Sequence, residues 1–490
     1  MDKLKILVAC HKPAEVYQDE VYTPIHVGKA LHPDMNLGFI GDDTGDNISL
    51  KNGSYCELTA EYWAWKNLEC EYLGLCHYRR YFEPKFTATN VEKLMDGKDI
   101  VLANPLHFAC SIGDFWMSKL IPEDVTVFYL VLQALDPNDF EYAKEYFRGN
   151  LFYACNMFVC RKSLFNEFAE WQFNILKKVE EIIPKSGYSR ERRILGFLAE
   201  AMLPIFFLGR GHKIKTYPIV DMVGKKALLR KRSEIKRKYL NRRTDIHFNK
   251  HRTCSFYMGE DYYGGLQQDG IMREIGQLYI DQQQVPHLDD KTHHVLCLGN
   301  SITLHPRKDD IGWHSEHGMA ASMPQKDYVH LLENRFKQHN ASSSVMGINI
   351  AEWEINSKVA LHSLFGKQCE GKDIIVLRLG ENVRDIIGFQ SALNKLVQYC
   401  MTFTENIILT GCVWKNEAKE HTIITVAKKH QIKYVPLHWI LLCYPDAYAH
   451  VGETISDTEG HTYTLSNPFI TSYPGDIGMQ MIADAIYYSL

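Results

Sequence analysis

The chain has 490 residues, 46% hydrophobic and 23% charged, which excludes wholesale disorder; 32 Gly and 17 Pro exclude a collagen-like or low-complexity chain. With 55 Lys+Arg against 59 Asp+Glu the formal charge is −4, so neither global polyanion binding nor a nucleic-acid partner is expected. At roughly 150 residues per domain the length implies two or three domains.

In chain order, the first apolar run, Ile6–Cys10, ends at His11-Lys12. It is too short for a secretory signal and predicts a first strand. Further strands are expected at Leu37–Ile40, Tyr72–Cys76, Ile100–Leu102 and Leu151–Val159. Helical patterns cover Cys56–Leu68, Val91–Met95, Asp124–Leu135, Ser163–Ile182 and Arg190–Phe207. The alternation predicts an α/β domain with a largely parallel sheet. No apolar run, Ala201–Leu208 included, approaches the ~20 residues of a membrane-spanning helix. The 13 Cys are scattered without CxxC pairs, so reduced, buried thiols of a cytoplasmic protein are expected rather than disulfides or zinc.

Residues 225–252 carry twelve Lys/Arg and two acids. They are either a solvated connector or a surface for anionic lipid at the inner face of a membrane. Residues 253–292 predict a polar linker with a short helix around Gly265–Tyr279. A second α/β pattern follows, with strands at Val295–Leu298, Val345–Ile350, Ile374–Leu379, Ile407–Thr410 and Lys433–Pro436. Its helices are expected at Lys326–Gln338, Asn356–Leu364, Phe389–Thr402, Glu417–His430 and Gly478–Ser489. The domains expected are therefore 1–250, including the basic segment, and 293–490.

Ligands in open α/β sheets bind at the carboxyl ends of strands. In the first domain those ends carry His11-Lys12, Gly41-Asp42-Asp43 and His77-Tyr78-Arg79-Arg80. There is no GxGxxG and no GxxxxGK[ST]. Asp42, Asp43 and Asp46 could hold a divalent ion such as Mn²⁺ or Mg²⁺, bind ribose and sugar hydroxyls, or cap a turn with Gly41 and Gly45. Arg79 or Arg80 could clamp an anion bidentately without a metal. The alternative is that one pairs with a neighbouring acid while His77 is a structural histidine. Glu61-Tyr62-Trp63-Ala64-Trp65 reads as core before it reads as a sugar platform.

The strings ILVACHKP (6–13), YTPIHVGKAL (22–31), IGDDTGDNIS (40–49), KNGSYCELTAEYWAWKNL (51–68) and YLGLCHYRRYF (72–82), and more loosely GYSRERRILGFLAEAML (187–203), carry a resemblance. Over about its first 220 residues the chain resembles a glycosyltransferase-like family of unknown-function domains from bacterial capsule and exopolysaccharide gene clusters. That resemblance implies a GT-A-like fold and transfer of a sugar from a nucleotide donor, with galactose, including its furanose form, among the sugars. It makes His11, Lys12, Asp42, Asp43, Asp46, Asn47, His77, Arg79 and Arg80 candidates for the donor site. A base for the acceptor hydroxyl is usually a carboxylate. Glu200, in the apolar run RRILGFLAEAMLPIFF, is the first candidate and Glu191 its competitor. The implied partners are a nucleotide sugar and a lipid-linked oligosaccharide.

VLCLGNSITLH (295–305), IGWHSEHGMAASMPQKDYVHLL (311–332), IIVLRLGENV (374–383) and YPGDIGMQMIADAI (473–486) resemble the blocks of SGNH/GDSL hydrolases. The resemblance implies a flavodoxin-like three-layer fold with Ser301 as nucleophile. Asn382 and the Ser301 N–H would be the oxyanion donors. Where that family carries its catalytic His and Asp, this chain has Tyr473 and Ile470, and its glycine block reads NIAEWE (349–354). A phenol, with an ordinary pKa near 10, is a poor base at neutral pH. His314, His317, His450 and His461 are the replacements available. A polysaccharide O-acyl esterase or acyltransferase, alone or beside the transferase, is the alternative function.

Overall fold

The computed structural model describes residues 1–108, 110–188, 191–221, 259–286 and 288–490. The basic segment expected to meet a membrane, 225–252, lies outside the described residues. No helix among the described residues is long and apolar enough to cross a membrane. The described residues form two compact α/β units, Met1–Gln268 and Asp269–Leu490.

Unit 1 is built on nine strands: β1 (Asp2–Cys10), β2 (Tyr22–His26), β3 (Ile40–Gly41), β4 (Cys70–His77), β5 (Arg80–Phe82), β6 (Ile100–Ala103), β9 (Phe158–Arg161), β10 (Ile214–Tyr217) and β11 (Ile219–Asp221), with a separate two-stranded ribbon of β7 (Leu106–His107) and β8 (Leu151–Phe152). The order is β10-β6-β9-β4-β1-β2-β3, and β5 pairs with β4 and β11. Strands β4-β1-β2-β3 are parallel. The expectation of a largely parallel sheet needs correcting, because β9 runs antiparallel between β4 and β6.

Strand β1 is buried along most of its length, as its continuous apolar run requires of a strand covered on both faces. Leu4, Ile6, Val8 and Cys10 pack one face with Tyr72, Cys76 and Val101. The helix Ile194–Gly209 is apolar around nearly its whole circumference and correspondingly buried. Leu37–Ile40, expected as a strand, contributes only β3. The strand beside β1 is Tyr22–His26, whose Pro24 disguises it. Residues 151–159, expected as one strand, are two short ones separated by a loop. The helix Pro137–Arg148, capped by Asp136 accepting from the Asp139 N–H at 2.9 Å, was not anticipated.

Unit 2 has a five-stranded parallel sheet: β12 (His294–Gly299), β13 (Ser344–Asn349), β14 (Ile374–Arg378), β15 (Ile407–Thr410) and β16 (Lys433–Val435), in the order β13-β12-β14-β15-β16. That is the flavodoxin-like 2-1-3-4-5 arrangement. A hairpin, β17 (Thr454–Ser456) with β18 (Thr462–Thr464), stands apart. The helix expected at Asn356–Leu364 is instead a helix at Ala351–Ile355 and a wide turn at His362–Gly366. Within the expected linker, the helix Ile271–Asp281 buries Ile271, Met272 and Ile275 in this unit, with Tyr279 stacked on Trp439 at 5.2 Å.

Gly74, in β4 between Ile6 of β1 and Val159 of β9, has no room for a side chain. A Cβ there would lie 2.9 Å from the Phe158 carbonyl oxygen and 3.0 Å from side-chain carbons of Ile6 and Val159. Gly74→Ala is expected to destabilise unit 1 by about 1–3 kcal/mol. Gly53→Ala, where nothing lies within 4 Å, is the control. Urea unfolding followed by hydrogen exchange in β1 and β4 checks this, and equal midpoints for the two variants would contradict it.

Candidate functional site

Three parallel strand ends are latched side by side in unit 1. The Tyr78 N–H donates to the Ala9 carbonyl at 3.1 Å, and the Val27 N–H to that of Cys10 at 3.0 Å. This brings His11-Lys12 beside Tyr78-Arg79-Arg80. The His11 ring meets Tyr78 edge-on, 5.5 Å between centroids. The Arg79 guanidinium lies 5.0 Å from the same tyrosine ring. Burial, then the charges of Lys12, Arg193 and Arg79, push the His11 imidazole below its ordinary value and keep it neutral.

Behind this edge sits the loop between β8 and β9. Cys155 and Asn156 have φ of +84° and +45°, and Cys56, facing them across Gly196, has +54°. Three non-glycine residues in left-handed conformation at one place mark stored strain of the kind found at working sites. The strained loop aims its polar groups. The Cys155 N–H donates to Glu200 Oε1 at 3.0 Å, and its carbonyl bonds His77 Nε2 at 2.6 Å. Asn156 Nδ2 donates to Glu57 Oε1 at 2.9 Å and to the Gly196 carbonyl at 3.1 Å. His77 Nε2 stands 3.8 Å from Glu57.

Two guanidiniums face these carboxyls. Arg80 Nη1 lies 3.4 Å from Cys155 Sγ, and Arg193 Nε 3.2 Å from Cys56 Sγ. Arg80 Nε and Asn156 Oδ1 are buried with no hydrogen-bond partner among the described residues. A buried guanidinium nitrogen left unpaired is costly unless something anionic comes to it. Burial, reinforced by the nearby Glu57, pushes the Glu200 carboxyl up to about 8; the Cys155 N–H, Arg80 and Arg193 pull the other way. The surface Glu200 keeps opens on a cavity of about 760 Å³.

The candidate residues divide. His11, Lys12, Arg79, Arg80, His77 and Glu200 gather at this edge. His77 is committed to the Cys155 carbonyl and so serves the loop. Neither Arg79 nor Arg80 forms an ion pair among the described residues, so the alternative in which one pairs with a neighbouring acid is not what the structure has. Asp42 is fully buried and spends both oxygens on the chain, accepting from the N–H groups of Gly28 at 2.8 Å and Lys29 at 3.1 Å and from the Ser49 hydroxyl. Asp43 and Asp46 are exposed. Asp46 accepts from the Tyr62 hydroxyl at 3.2 Å, and Asn47 Nδ2 donates to the carbonyls of Asp43 and Gly45. The turn reading describes this loop. Its donor set does not fit a divalent ion, because Asp42 has no oxygen to spare and the three carboxylates do not converge. Among the described residues only Asp457, Glu459 and His461, exposed at the β17–β18 hairpin, bring three ligand atoms together. Glu191 is exposed and takes a hydrogen bond from Ser186 at 2.6 Å. Trp63 is core, while Tyr62 and Trp65 line a separate cavity of about 910 Å³. Glu57, Arg193 and Asn156 were not singled out from the sequence. Arg193 had a visible signal, a basic residue just before a wholly apolar helix.

In unit 2, Ser301 follows β12. Its hydroxyl stands 3.5 Å from the Tyr473 hydroxyl, and no imidazole among the described residues hydrogen-bonds to it. His314 pairs with Asp309 and His461 with Asp457; His317 bonds the carbonyls of Gly318 and Ser456; His450 is exposed. Asn382 Nδ2 donates to Glu354 Oε2 at 2.7 Å, and Glu354 Oε1 accepts the Gly380 N–H. Beside them Arg378, fully buried, pairs with Glu381 at 2.8 Å and donates to Asn300 Oδ1, whose Nδ2 donates to Glu381 at 2.7 Å. Burial and the Glu381 charge push the Glu354 carboxyl up. Burial also works against ionised Glu381, but the Arg378 guanidinium outweighs it and holds that carboxyl below its ordinary value.

Residues 5–211 match the model of a family described as a domain of unknown function, DUF4422. No curated protein matches the chain. Among solved structures the chain is similar to the apo structure of the WbbM bifunctional glycosyltransferase at 20% identity, covering 83% of this chain and 66% of that one, just under two thirds of its length, with a TM-score of 0.40. It is also similar to the acetylxylan esterase Axe2 from Geobacillus stearothermophilus, at 12% identity over 41% of this chain and 96% of that one, TM-score 0.28. A two-domain esterase active on acetylated mannans matches at 16% identity over 40% and 49%, TM-score 0.29.

Because the folded pKa of Glu200 lies above that of an unfolded glutamate, the folded state binds the extra proton between about 4.5 and 8. Its contribution to stability is therefore present below that window and lost as pH rises through it. Glu200→Gln removes this dependence. Hydrogen exchange in the helix Ile194–Gly209 at pH 5 and pH 8.5 is expected to show the wild type losing more protection than the variant. Parallel profiles would show that Glu200 ionises normally.

Proposed function

We propose that unit 1 transfers a hexose from a UDP-sugar to a lipid-linked glycan acceptor in surface polysaccharide synthesis, galactose in either ring form being the donor sugar. The observation that carries the proposal is Arg80, whose Nε is buried without a partner and whose Nη1 lies 3.4 Å from Cys155 Sγ in the loop that bonds Glu200 and Glu57. Breaking the bond between the anomeric carbon and the donor phosphate leaves an electron pair and negative charge on the diphosphate. Arg79, Arg80, Arg193 and Lys12 supply positive charge for it at the strand ends. Arg79 and Arg193 are exposed and can fold onto a ligand; Arg80 is fixed. With Asp42 committed to its own loop, the charge neutralisation assigned here is organic, through guanidinium groups.

The acceptor hydroxyl attacks the anomeric carbon and gives its proton to Glu200, so one C–O bond forms as another breaks and UDP departs. Glu200 must be ionised to do this, and burial makes it hold its proton to about pH 8. A carboxylate of raised pKa is also a stronger base once ionised. Transfer should therefore increase as pH rises toward that value. The chain would work at the cytoplasmic face of a membrane, held there by the basic stretch 225–252.

For unit 2 we propose a glycan-binding or scaffolding role. Ser301 has a phenol where an esterase needs an imidazole, and Asn382 spends an amide hydrogen on Glu354, whose carboxylate would oppose an oxyanion.

Two measurements test these assignments. Arg80→Ala is expected to lower UDP release from UDP-galactose by about 10²-fold or more, with circular dichroism unchanged and no effect of EDTA on the wild type. Unchanged release would remove Arg80 from the donor site. A fluorophosphonate probe is expected to leave Ser301 unlabelled; stoichiometric labelling would restore the esterase reading.

A further inference from the structure

The cavity of about 760 Å³ beside Glu200 has a chemistry opposite to that of the strand ends. Phe108, Phe115 and Phe152 form one wall, with centroids 4.3 Å apart for Phe108–Phe115 and 5.3 Å for Phe108–Phe152. Trp116 and Phe197 continue it, and most of the remaining lining is Leu, Ile and Pro. Its ionisable groups are Glu200, Asp124 and Glu191 against the single cation Lys119. A nucleoside diphosphate is repelled by such a wall, so the donor belongs on the arginine side. Asp124 is 7% exposed, and its carboxylate receives no hydrogen bond from a described residue. Burial, then the charges of Glu123 and Glu191, push it up to about 6. Two carboxyls with free acceptor capacity lining one aromatic cavity, Asp124 buried and Glu200 half-buried, suit hydroxyl groups beside apolar surface.

Resting on the transferase reading above, we infer that this cavity is the acceptor subsite and takes a glycoside with an apolar aglycone. The attacking hydroxyl lies on Glu200, a neighbouring hydroxyl on Asp124, and the aglycone runs along Phe115 and Phe108. Glu200 lines the cavity and also accepts from the strained loop that Arg80 touches, so one carboxyl belongs to both the donor and the acceptor surroundings. Asp124 is a specificity-determining residue, and Phe115 an apolar contact that takes no part in the donor site.

The probes are methyl and octyl β-D-galactopyranoside, the latter below its micelle-forming concentration, with UDP-galactose as donor. The octyl glycoside is expected to stimulate UDP release with a KM at least about tenfold below that of the methyl glycoside. Phe115→Ala is expected to bring the two within about threefold. Equal KM values in the wild type, or a preference that survives Phe115→Ala, would overturn the inference. Hydrogen exchange over residues 106–121 reads the cavity without turnover. Protection by the octyl glycoside with no UDP release would sink the transferase reading while leaving the cavity's occupant in place. Glycoside-stimulated UDP release without protection would place the acceptor elsewhere.

Discussion

Glu200 sits in a helix whose side chains from Ile194 to Phe207 are almost all apolar and buried, so the packing that holds the helix in place also disfavours its charge. Its protein hydrogen-bond donor is the Cys155 N–H, and that N–H points at it because Cys155 and Asn156 are left-handed. Each such residue costs about 1–3 kcal/mol, less for Asn, which tolerates this region best. The surroundings over-determine the loop. His77 holds the Cys155 carbonyl, and Asn156 is tied both to Glu57 and to the backbone of the helix that carries Glu200. Much of the polar apparatus at the end of β4 thus serves to hold one carboxyl at one height. Moving the loop would strand Glu200 without its donor and release His77 and Glu57 together.

That carboxyl also divides the local charge. On the strand-end side lie Lys12, Arg79, Arg80 and Arg193; on the cavity side lie acids and aromatic rings. On the proposed transferase reading, an anion at the arginines and an apolar glycoside in the cavity would reach the same carboxyl along different linings. The arginines keep the carboxyl from rising further, and the carboxyls keep the arginines from being an undirected patch.

The gross architecture was readable because it follows from apolar periodicity. β1, β4, β6, β12, β14 and β15 are continuous apolar runs and could hardly be anything but buried strands. What escaped was set by context. Pro24 argues against a strand, yet β3 pairs only with Ile25 and His26, so Pro24 lies beyond its reach and loses no partner on that side. Insertion of β9 antiparallel between β4 and β6 depends on pairings 56 to 89 residues apart, which no local pattern encodes. The left-handed Cys155 and Asn156 carry no glycine to announce them. At the candidate site Arg80 and Glu200 lie where a strand end and a wholly apolar helix put them, whereas the position of Asp42 does not reveal its partners. A buried aspartate that caps a turn and one that holds an ion have the same sequence, and only the Gly28 and Lys29 N–H groups distinguish them.

In unit 2 the buried charges near Ser301 are the organising feature. Ser301 still stands just beyond the first strand and Asn382 beyond the third, since the order of the parallel sheet puts both at one edge. Glu354 brings a carboxylate that takes up the Asn382 amide, and Arg378 pairs with Glu381 beside it. A buried ion pair of this kind gains little stability over apolar packing. Its effect is to fix acceptor atoms next to Ser301. Acceptors bind hydroxyl groups and repel oxyanions, so on the glycan-binding reading proposed above these oxygens would meet sugar hydroxyls.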